Sequence, residues 1–510
     1  MSFISVHFLL FLIVVIVLYF VVPQKYQWCM VAAANLWFYV AAGWKAVPFL
    51  LITTVSTYLC GRLLGKIQKK YKEEKKLLSA DDADIKNKRK KIKILFELQK
   101  KKIMWGVLLL NFSIWFLCKQ SFHTGSLFIP FAISYYTFIA VGYCIDVYSG
   151  KYDCEKNLIR YFAFLSFFPQ MIEGPFSRYD SLTKTLFAGH SFSFERFEKG
   201  MLRVIWGYCK KMVLSNIMWE MISIIYAQNG SFSAPQMIML IIMLPLQQYA
   251  DFSGCMDIAI GISQIMGIEL QENFHQPIFA KSVEEIWRRW HLTLCAWFRD
   301  YLFYPVALNK SVNQVAGFLG KKNKRIAQIF PSTVALFVVW TTTGLWHGTA
   351  WKYILWGWMN FFFLEANMLF KNQYGLIRAK FHINTQGSIW KLFCIIRTYF
   401  IFGIMELIAD GPSAGQDIRM LLTIFDPTAW LKGNMIMSFV TVKSLIIILV
   451  GACILCVIDI MKEQNKNIAN KIITLPIIPK CLVYVSIIYM IVLLTPVGIN
   501  VSEGFAYAQF

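Results

Sequence analysis

The chain has 510 residues, 57% of them hydrophobic and only 16% charged, against about 25% charged in an ordinary soluble domain. Lys and Arg outnumber Asp and Glu by 51 to 29, a formal charge of +22, and mean hydropathy is +0.51. Disorder is excluded, because it needs low hydrophobicity and dense charge, and so is a soluble multi-domain protein, whose cores could not hide this much apolar surface. What remains is a polytopic membrane protein with its basic charge concentrated in a few places.

A bilayer core takes about 20 apolar residues per helix. In chain order the candidate spans are Ser2–Val22, Trp28–Ala42, Val47–Leu64, Ile103–Cys118, Leu127–Val147, Leu158–Ile172 and Met201–Tyr226. Then follow Gln236–Ile265, Ser332–Trp346, Trp351–Phe370, Trp390–Ile408, Val442–Met461 and Ile477–Val497. Several are short or broken by polar residues and prolines, so some are re-entrant; roughly eleven true crossings are expected from the length arithmetic. The first run lacks a basic leader and is long, which reads as a retained span rather than a cleaved signal peptide. The loop Lys66–Lys102 carries fifteen Lys/Arg and six Asp/Glu, +9 by subtraction. The positive-inside rule places it in the cytoplasm, together with a second basic loop, Asn309–Arg325. Three spans precede the first loop, so the N-terminus is expected outside. A basic excess can signal nucleic acid; in this setting it reads as a basic helix pair facing solvent and lipid, with no nucleic-acid partner. One membrane domain, 1–510, is expected: N-terminal spans at 1–125 with the basic loop 66–102, a motif-rich core at 126–370, and C-terminal spans and tail at 371–510.

Polar and ionisable groups inside a membrane are expensive and therefore functional candidates. They gather in Pro130–Phe138 with Asp146, in Phe167–Phe176 around Gln170 and Glu173, and in a long run from Gln247 to Tyr301. That run holds Asp251, Asp257, Glu272-Asn273, Trp287-Arg288-Arg289-Trp290-His291 and Arg299-Asp300. Between Ser282 and Tyr304 the chain is too charged to span. Trp287, Trp290, Leu294, Trp297 and Tyr301 recur at three- and four-residue steps, predicting an amphipathic, interfacial helix with Arg288 and Arg289 off the aromatic stripe. Simple interfacial anchoring explains the stripe equally well.

Two of the seven histidines stand out. His291 lies in the stripe, where a satisfied structural role competes with catalysis. His347 lies in Gly344-Leu-Trp-His-Gly-Thr-Ala-Trp351 between two apolar runs. There it is either a general acid–base or a residue capping a helix break. Gly411-Pro-Ser413-Ala-Gly415 matches G-x-S-x-G but lacks the strand and sheet that a nucleophile elbow needs. Cys453 and Cys456 form a C-x-x-C inside an apolar run and read as buried small residues. Metal motifs such as H-E-x-x-H, the phosphate loop and the dinucleotide fingerprint are absent, so no metal and no resident cofactor is expected.

From Phe128 to about Phe370 these motifs, in this order, resemble the membrane-bound O-acyltransferase (MBOAT) family, in particular its bacterial branch typified by alginate O-acetyltransferase. The residues that carry the resemblance are Pro130–Phe138 with Ile145–Tyr148, Phe168–Pro175, Tyr249–Gly261, Glu272-Asn273-Phe274, Trp287–Leu294 with Trp297–Tyr301, and Gly344–Gly348. His275-Gln stands where Asn is frequent, and Cys295-Ala where Ser-Thr is frequent. The resemblance implies an all-α membrane fold, a ring-like arrangement of helices with a thin centre, carrying re-entrant and interfacial helices, in a bacterial cytoplasmic membrane. It implies a cytoplasmic acyl thioester, acetyl-CoA above all, as donor, with a catalytic role for His347 and a second functional role for His291. Asp251, Asn273, Trp287, Arg288, Arg299 and Trp346 fall on the motifs as candidate substrate-binding residues; Arg288, Arg289 and Arg299 suit the phosphates of coenzyme A, and interfacial salt bridges explain them equally well.

Its implied partners are the lipid bilayer, an extracytoplasmic SGNH-type acetyltransferase and, through it, a cell-surface polysaccharide. Tyr507, in the aromatic tail ending at Phe510, reads either as an acyl relay, as a partner-docking residue or as an aromatic belt anchor; an odd number of crossings would put it in the cytoplasm. The rival activities are D-alanyl transfer to teichoic acid, and a transporter or flippase whose intramembrane carboxylates are ion sites. No internal repeat supports the transporter.

Overall fold

A computed structural model describes residues 3–77, 85–124, 130–227, 232–431, 441–466 and 468–495. Among them every regular element is helical. Six stretches are long and apolar enough to cross a membrane: Gln24–Leu77, Lys86–Gln120, Lys324–His347, Ser388–Asp410, Val442–Glu463 and Ile477–Leu494. Val6–Val21 is a shorter apolar helix. The protein is an all-α, multi-pass membrane protein, and its helices fall into two compact units.

The first unit comprises Met1–Phe197 and Ser263–Leu270. It contains α1 (Val6–Val21), α2 (Gln27–Gly43), α3 (Val47–Leu77), α4 (Ile85–Thr124), α5 (Ile133–Ser149), α6 (Leu158–Leu165), α7 (Phe168–Met171) and α8 (Tyr179–Leu186). Ser5 caps α1 by accepting from Phe8 N at 3.2 Å, which satisfies one of the donors orphaned at a helix start. α1 then turns Phe8, Phe11, Leu12, Val15 and Tyr19 inward. Phe11 packs on Phe38 (5.8 Å) and Phe168 (5.3 Å).

The expected span Leu158–Ile172 is not one helix. It breaks after Leu165, and Pro169 opens the four-residue α7. Asn35 of α2 supports the break: its Nδ2 donates to Ala163 O (3.1 Å) and its Oδ1 accepts from Phe168 N (3.0 Å). Buried side-chain amides of this kind make non-helical backbone tolerable at membrane depth.

The expected basic loop Lys66–Lys102 is mostly helix, because α3 runs on to Leu77 and α4 begins at Ile85. Dense Lys and Glu favour helix, and Lys69–Glu73 and Lys70–Glu74 pair one turn apart. Tyr71 and Phe96 pack the two arms together at 5.5 Å.

The second unit comprises Glu198–Ile262 and Gln271–Phe510. Its helices begin with α9 (Phe194–Tyr208), α10 (Asn216–Tyr226), α11 (Ala234–Met266), α12 (Val283–Trp287), α13 (Leu292–Phe298), α14 (Tyr304–Ala307) and α15 (Lys310–Gly320). They continue with α16 (Lys324–His347), α17 (Trp351–Leu369), α18 (Lys371–Lys380), α19 (Ser388–Asp410), α20 (Ala414–Leu422) and α21 (Pro427–Leu431). The last are α22 (Val442–Glu463), α23 (Ile468–Ile473) and α24 (Ile477–Leu494). The second basic loop is largely α15, started by the Asn309 side chain accepting from Ser311 N.

Two secondary expectations resolve here, and a third does not. Ser413 accepts from Gln416 N and caps α20, so the G-x-S-x-G segment is a helix start. Cys453 is exposed, not buried: at 100° per residue it lies opposite Leu455, which is buried in the core. Tyr507 lies outside the described residues.

Between α9 and α10 the helix widens into a π turn, Cys209–Ser215, which aims two consecutive lysines at α11. Lys211 is ion-paired with Asp251, and Lys210 Nζ lies 2.7 Å from Asp257 and from Ser253 Oγ. Arg203 bridges Asp257 (2.8 Å) to Glu272, which it grips with both terminal nitrogens at 2.7 and 2.6 Å. Buried charges require such pairing. α16 and α17 cross closely: a Cβ on Gly344 would lie 2.6 Å from Tyr353 O, and one on Gly357 would collide with Trp340 O. Only glycine permits that approach, and it brings the end of α16 against the first turns of α17.

Candidate functional site

The first histidine is set by a helix break. Ser282 starts α12 by accepting from Glu285 N at 3.1 Å. The chain then leaves the helix at Arg288, and His291 adopts φ 49° before α13 begins. The single amphipathic helix expected over 282–304 is therefore two short helices, followed by a π turn at Arg299–Phe303.

The cause is Asn273, fully buried on a separate segment. Its carbonyl accepts from Leu292 N (3.0 Å), while its Oδ1 accepts from Thr293 N (3.1 Å) and Thr293 Oγ1 (2.8 Å). It thus caps α13 from outside, and offsets a left-handed conformation that costs a non-glycine residue about 1 kcal/mol or more. His275 N donates to Arg289 O (2.8 Å), locking the same two strands of chain together. The Asn273 amide also faces the ring it positions: Nδ2 lies 3.1 Å and Oδ1 3.2 Å from His291 Nδ1.

The His291 ring is buried and edge-on to Phe252 at 4.8 Å. Burial, and then the nearness of His347, hold its pKa well below the ordinary histidine value. It is neutral at pH 7.

His347 ends α16, where Gly348 N closes the last turn onto Gly344 O at 3.1 Å. Its half-buried ring meets Trp346 (4.8 Å), Trp356 (4.9 Å, 72°) and Tyr353 (6.3 Å, 24°). Trp346 also lies 6.2 Å from His291, so one indole touches both imidazoles. Behind them is a frame of tethered rings. Trp287 Nε1 donates to Asn360 Oδ1 (2.9 Å), Asn360 Nδ2 donates to Trp356 O (3.0 Å), and Trp287 packs on Trp340 (4.8 Å) and Trp356 (5.7 Å). Two imidazoles walled by indoles can exchange protons with a bound hydroxyl or thiol where apolar surroundings strengthen each polar contact.

Residues 155–320 match the family model described as MBOAT, membrane-bound O-acyltransferase family. A probable alginate O-acetylase, AlgI, of Pseudomonas aeruginosa is 30% identical over 360 residues, 69% of this chain and 63% of that protein. The chain belongs to the membrane-bound O-acyltransferase family. A peptidoglycan O-acetyltransferase of Helicobacter pylori is 25% identical over 300 residues, 54% of this chain and 53% of that protein. A teichoic acid D-alanyltransferase of Streptococcus thermophilus is 29% identical over 241 residues, 46% and 55%. The chain spans less than two thirds of the length of the first of these relatives. The MBOAT model match includes His291 and stops short of His347.

Of the residues singled out from the sequence, this MBOAT structure gathers five: His291, His347, Trp346, Trp287 and Asn273. Asp251 is buried beside the group, but in the ion pair with Lys211, with Ser215 Oγ donating to it at 2.9 Å. Arg288 and Arg299 stand apart, exposed and paired with neighbours in their own chain segment, Glu284 and Asp300. Three contributors escaped the motif reading: Asn360, Trp356 and Glu406, whose Oε1 accepts from Trp356 Nε1 at 3.2 Å. A signal existed for two of them, since Asn360 and Glu406 are polar residues inside otherwise apolar runs.

Proposed function

We propose that this protein is an O-acyltransferase of a bacterial cytoplasmic membrane, and that it moves an acyl group, acetyl by preference, from a cytoplasmic thioester for O-acylation of an extracytoplasmic cell-surface polysaccharide. The observation that carries the reading is the contact of Trp346 with both His291 and His347, in a chain whose relatives include a probable alginate O-acetylase and a peptidoglycan O-acetyltransferase.

In this reading His347 takes the proton of the acceptor hydroxyl as its oxygen bonds to the thioester carbonyl carbon. The C–S bond then breaks, and the imidazolium returns the proton to the departing thiolate. One ester and one thiol form, with no net proton released. His291, kept neutral by burial, serves as an uncharged hydrogen-bond partner rather than a second base. Acetyl-CoA is the proposed donor. An SGNH-type enzyme outside the membrane is the proposed partner, completing transfer to the sugar. The relative named as a teichoic acid D-alanyltransferase favours D-alanyl transfer as the second reading. The transporter reading is weakened by the pairing of the buried Asp251 with Lys211 and of the buried Asp257 with Lys210 and Arg203.

The test is His347→Ala in cells that retain the partner, with membrane insertion checked and transfer from labelled acetyl-CoA to surface glycan measured. Transfer is expected to be lost; unchanged transfer would remove His347 as the base. A D-alanyl carrier thioester as the alternative donor separates the two acyl groups.

A further inference from the structure

We infer that Glu406 is a positioning residue for His347, acting through Trp356. Glu406 lies in α19, within an apolar stretch long enough to cross the membrane, and is only 4% exposed. A carboxylate at that depth is costly, and a helix needed only for packing would carry an apolar side chain there.

Its contacts say what it is for. Oε1 accepts the Trp356 indole N–H at 3.2 Å. Two helices, α17 and α19, are thereby tied at one carboxylate. A buried indole N–H needs a partner, and this partner fixes the direction in which the ring points. Trp356, itself 3% exposed, presents that ring to the His347 imidazole at 4.9 Å and 72°.

The other faces of Trp356 are closed by Trp287 and Trp340, and its carbonyl by Asn360. If the indole turned, His347 would lose one of the walls that set its orientation. Rates of general acid–base steps fall steeply when the base is displaced by even an ångström. The carboxylate touches none of the reacting atoms; it acts only through the indole.

The inference rests on the reading of His347 as the base, and its test keeps the two apart. Full-length Glu406→Gln, Glu406→Leu, Trp356→Phe and the double variant Glu406→Leu/Trp356→Phe are compared in native membranes. The first measurement is kcat and KM for transfer from labelled acetyl-CoA. The second is the rate at which diethyl pyrocarbonate modifies His347, read by peptide mass spectrometry, which needs no acyl transfer.

Glu406→Gln is expected to keep most of kcat, because an amide oxygen accepts the same N–H. Glu406→Leu and Trp356→Phe are each expected to lower kcat about tenfold to a hundredfold with donor KM little changed. The double variant should be no worse than either single one, the signature of residues acting as a unit. Both single variants should also alter the rate of His347 modification. Additive losses in kcat, or a Glu406→Leu variant with wild-type His347 modification, would overturn the inference. If the wild-type protein transferred no acyl group, the function would fall, and the modification rates would still decide whether Glu406 holds the ring.

Discussion

Replacing Asn273 with alanine tests the construction of the His291 turn. The substitution deletes the acceptor for Thr293 N–H at 3.1 Å and Thr293 Oγ–H at 2.8 Å, together with the amide 3.1 Å from His291 Nδ1. A buried hydrogen bond is worth about 1 kcal/mol net, and a donor left without its acceptor costs about 1–3 kcal/mol. The loss of the cap of α13 is part of the same count, so destabilisation of roughly 2–4 kcal/mol is expected. With the ring released from its left-handed turn, transfer should fall about a hundredfold.

Asn273→Asp separates structure from electrostatics. It keeps both bonds to Thr293 and so loses less stability, but it places a carboxylate beside His291, which favours the imidazolium. In the wild type the folded pKa of His291 is depressed, so unfolded chains bind a proton that folded ones do not. Stability is therefore fully present above about pH 6.5 and falls as pH drops below it. The aspartate raises the folded pKa and should flatten that acid-side loss. Thermal unfolding in detergent from pH 5 to 8, with acyl transfer on the same samples, reads both effects. Wild-type unfolding and transfer in Asn273→Ala, or an aspartate variant as unstable as the alanine one at every pH, would refute the reasoning.

Lys211→Met should cost about 3–5 kcal/mol, because it strands Asp251 as an unpaired buried charge, whereas Lys211→Met/Asp251→Leu should recover most of that loss. Thermal unfolding measures both, and a stable double variant that no longer transfers would put Asp251 on the substrate. Burial pushes the Asp417 carboxyl up to about 7, against the pull of nearby Lys352. The folded state therefore holds a proton that the unfolded state has released, and stability falls as pH rises from about 4 to about 7. Asp417→Asn should consequently raise the unfolding temperature most at pH 8, less at pH 5, and leave it unchanged only below about pH 4. Arg288→Ala and Arg299→Ala remove exposed pairs and should each change stability by no more than about 0.5 kcal/mol. Transfer at saturating donor should be unaffected, and the KM for acetyl-CoA shows whether either arginine holds its phosphates.

What was legible in the sequence followed from hydropathy and from motif order. The apolar runs became α1 to α5, α16, α17, α19, α22 and α24, because a membrane helix needs only length and apolar composition. The stretch 282–304 was misread because its three- and four-residue aromatic spacing is real, while the break at His291 is imposed by Asn273, 18 residues earlier in the chain. No local pattern encodes a cap delivered from so far away. The break of α6 from α7 has the same character, with Asn35 acting over a separation of 133 residues. The indole frame was invisible for a related reason: Trp356 and Glu406 are 50 residues apart, and only the crossing of α16 with α17 at Gly344 and Gly357 brings their neighbourhood to His347. Glu406 itself was detectable by the argument that singled out Asp251, as a charge in an apolar run.

One group of charged residues in the second unit forms a ladder along α11. Arg203, Lys210 and Lys211 face Asp251, Asp257 and Glu272. Three positive charges thus meet three negative ones, and the ladder is neutral as a whole. Its role is to fix the face of α11 that carries Phe252 against His291 and Met256 against Asn273. Among the groups that face the two rings, an amide meets His291 and indoles meet His347. A carboxylate next to either ring would hold a proton on it and remove it as a base at neutral pH. In the proposed transfer from a thioester to a hydroxyl, His347 would gain and lose a proton within each turnover, with no net charge change. The amide against His291 and the indoles against His347 are compatible with both halves of that cycle.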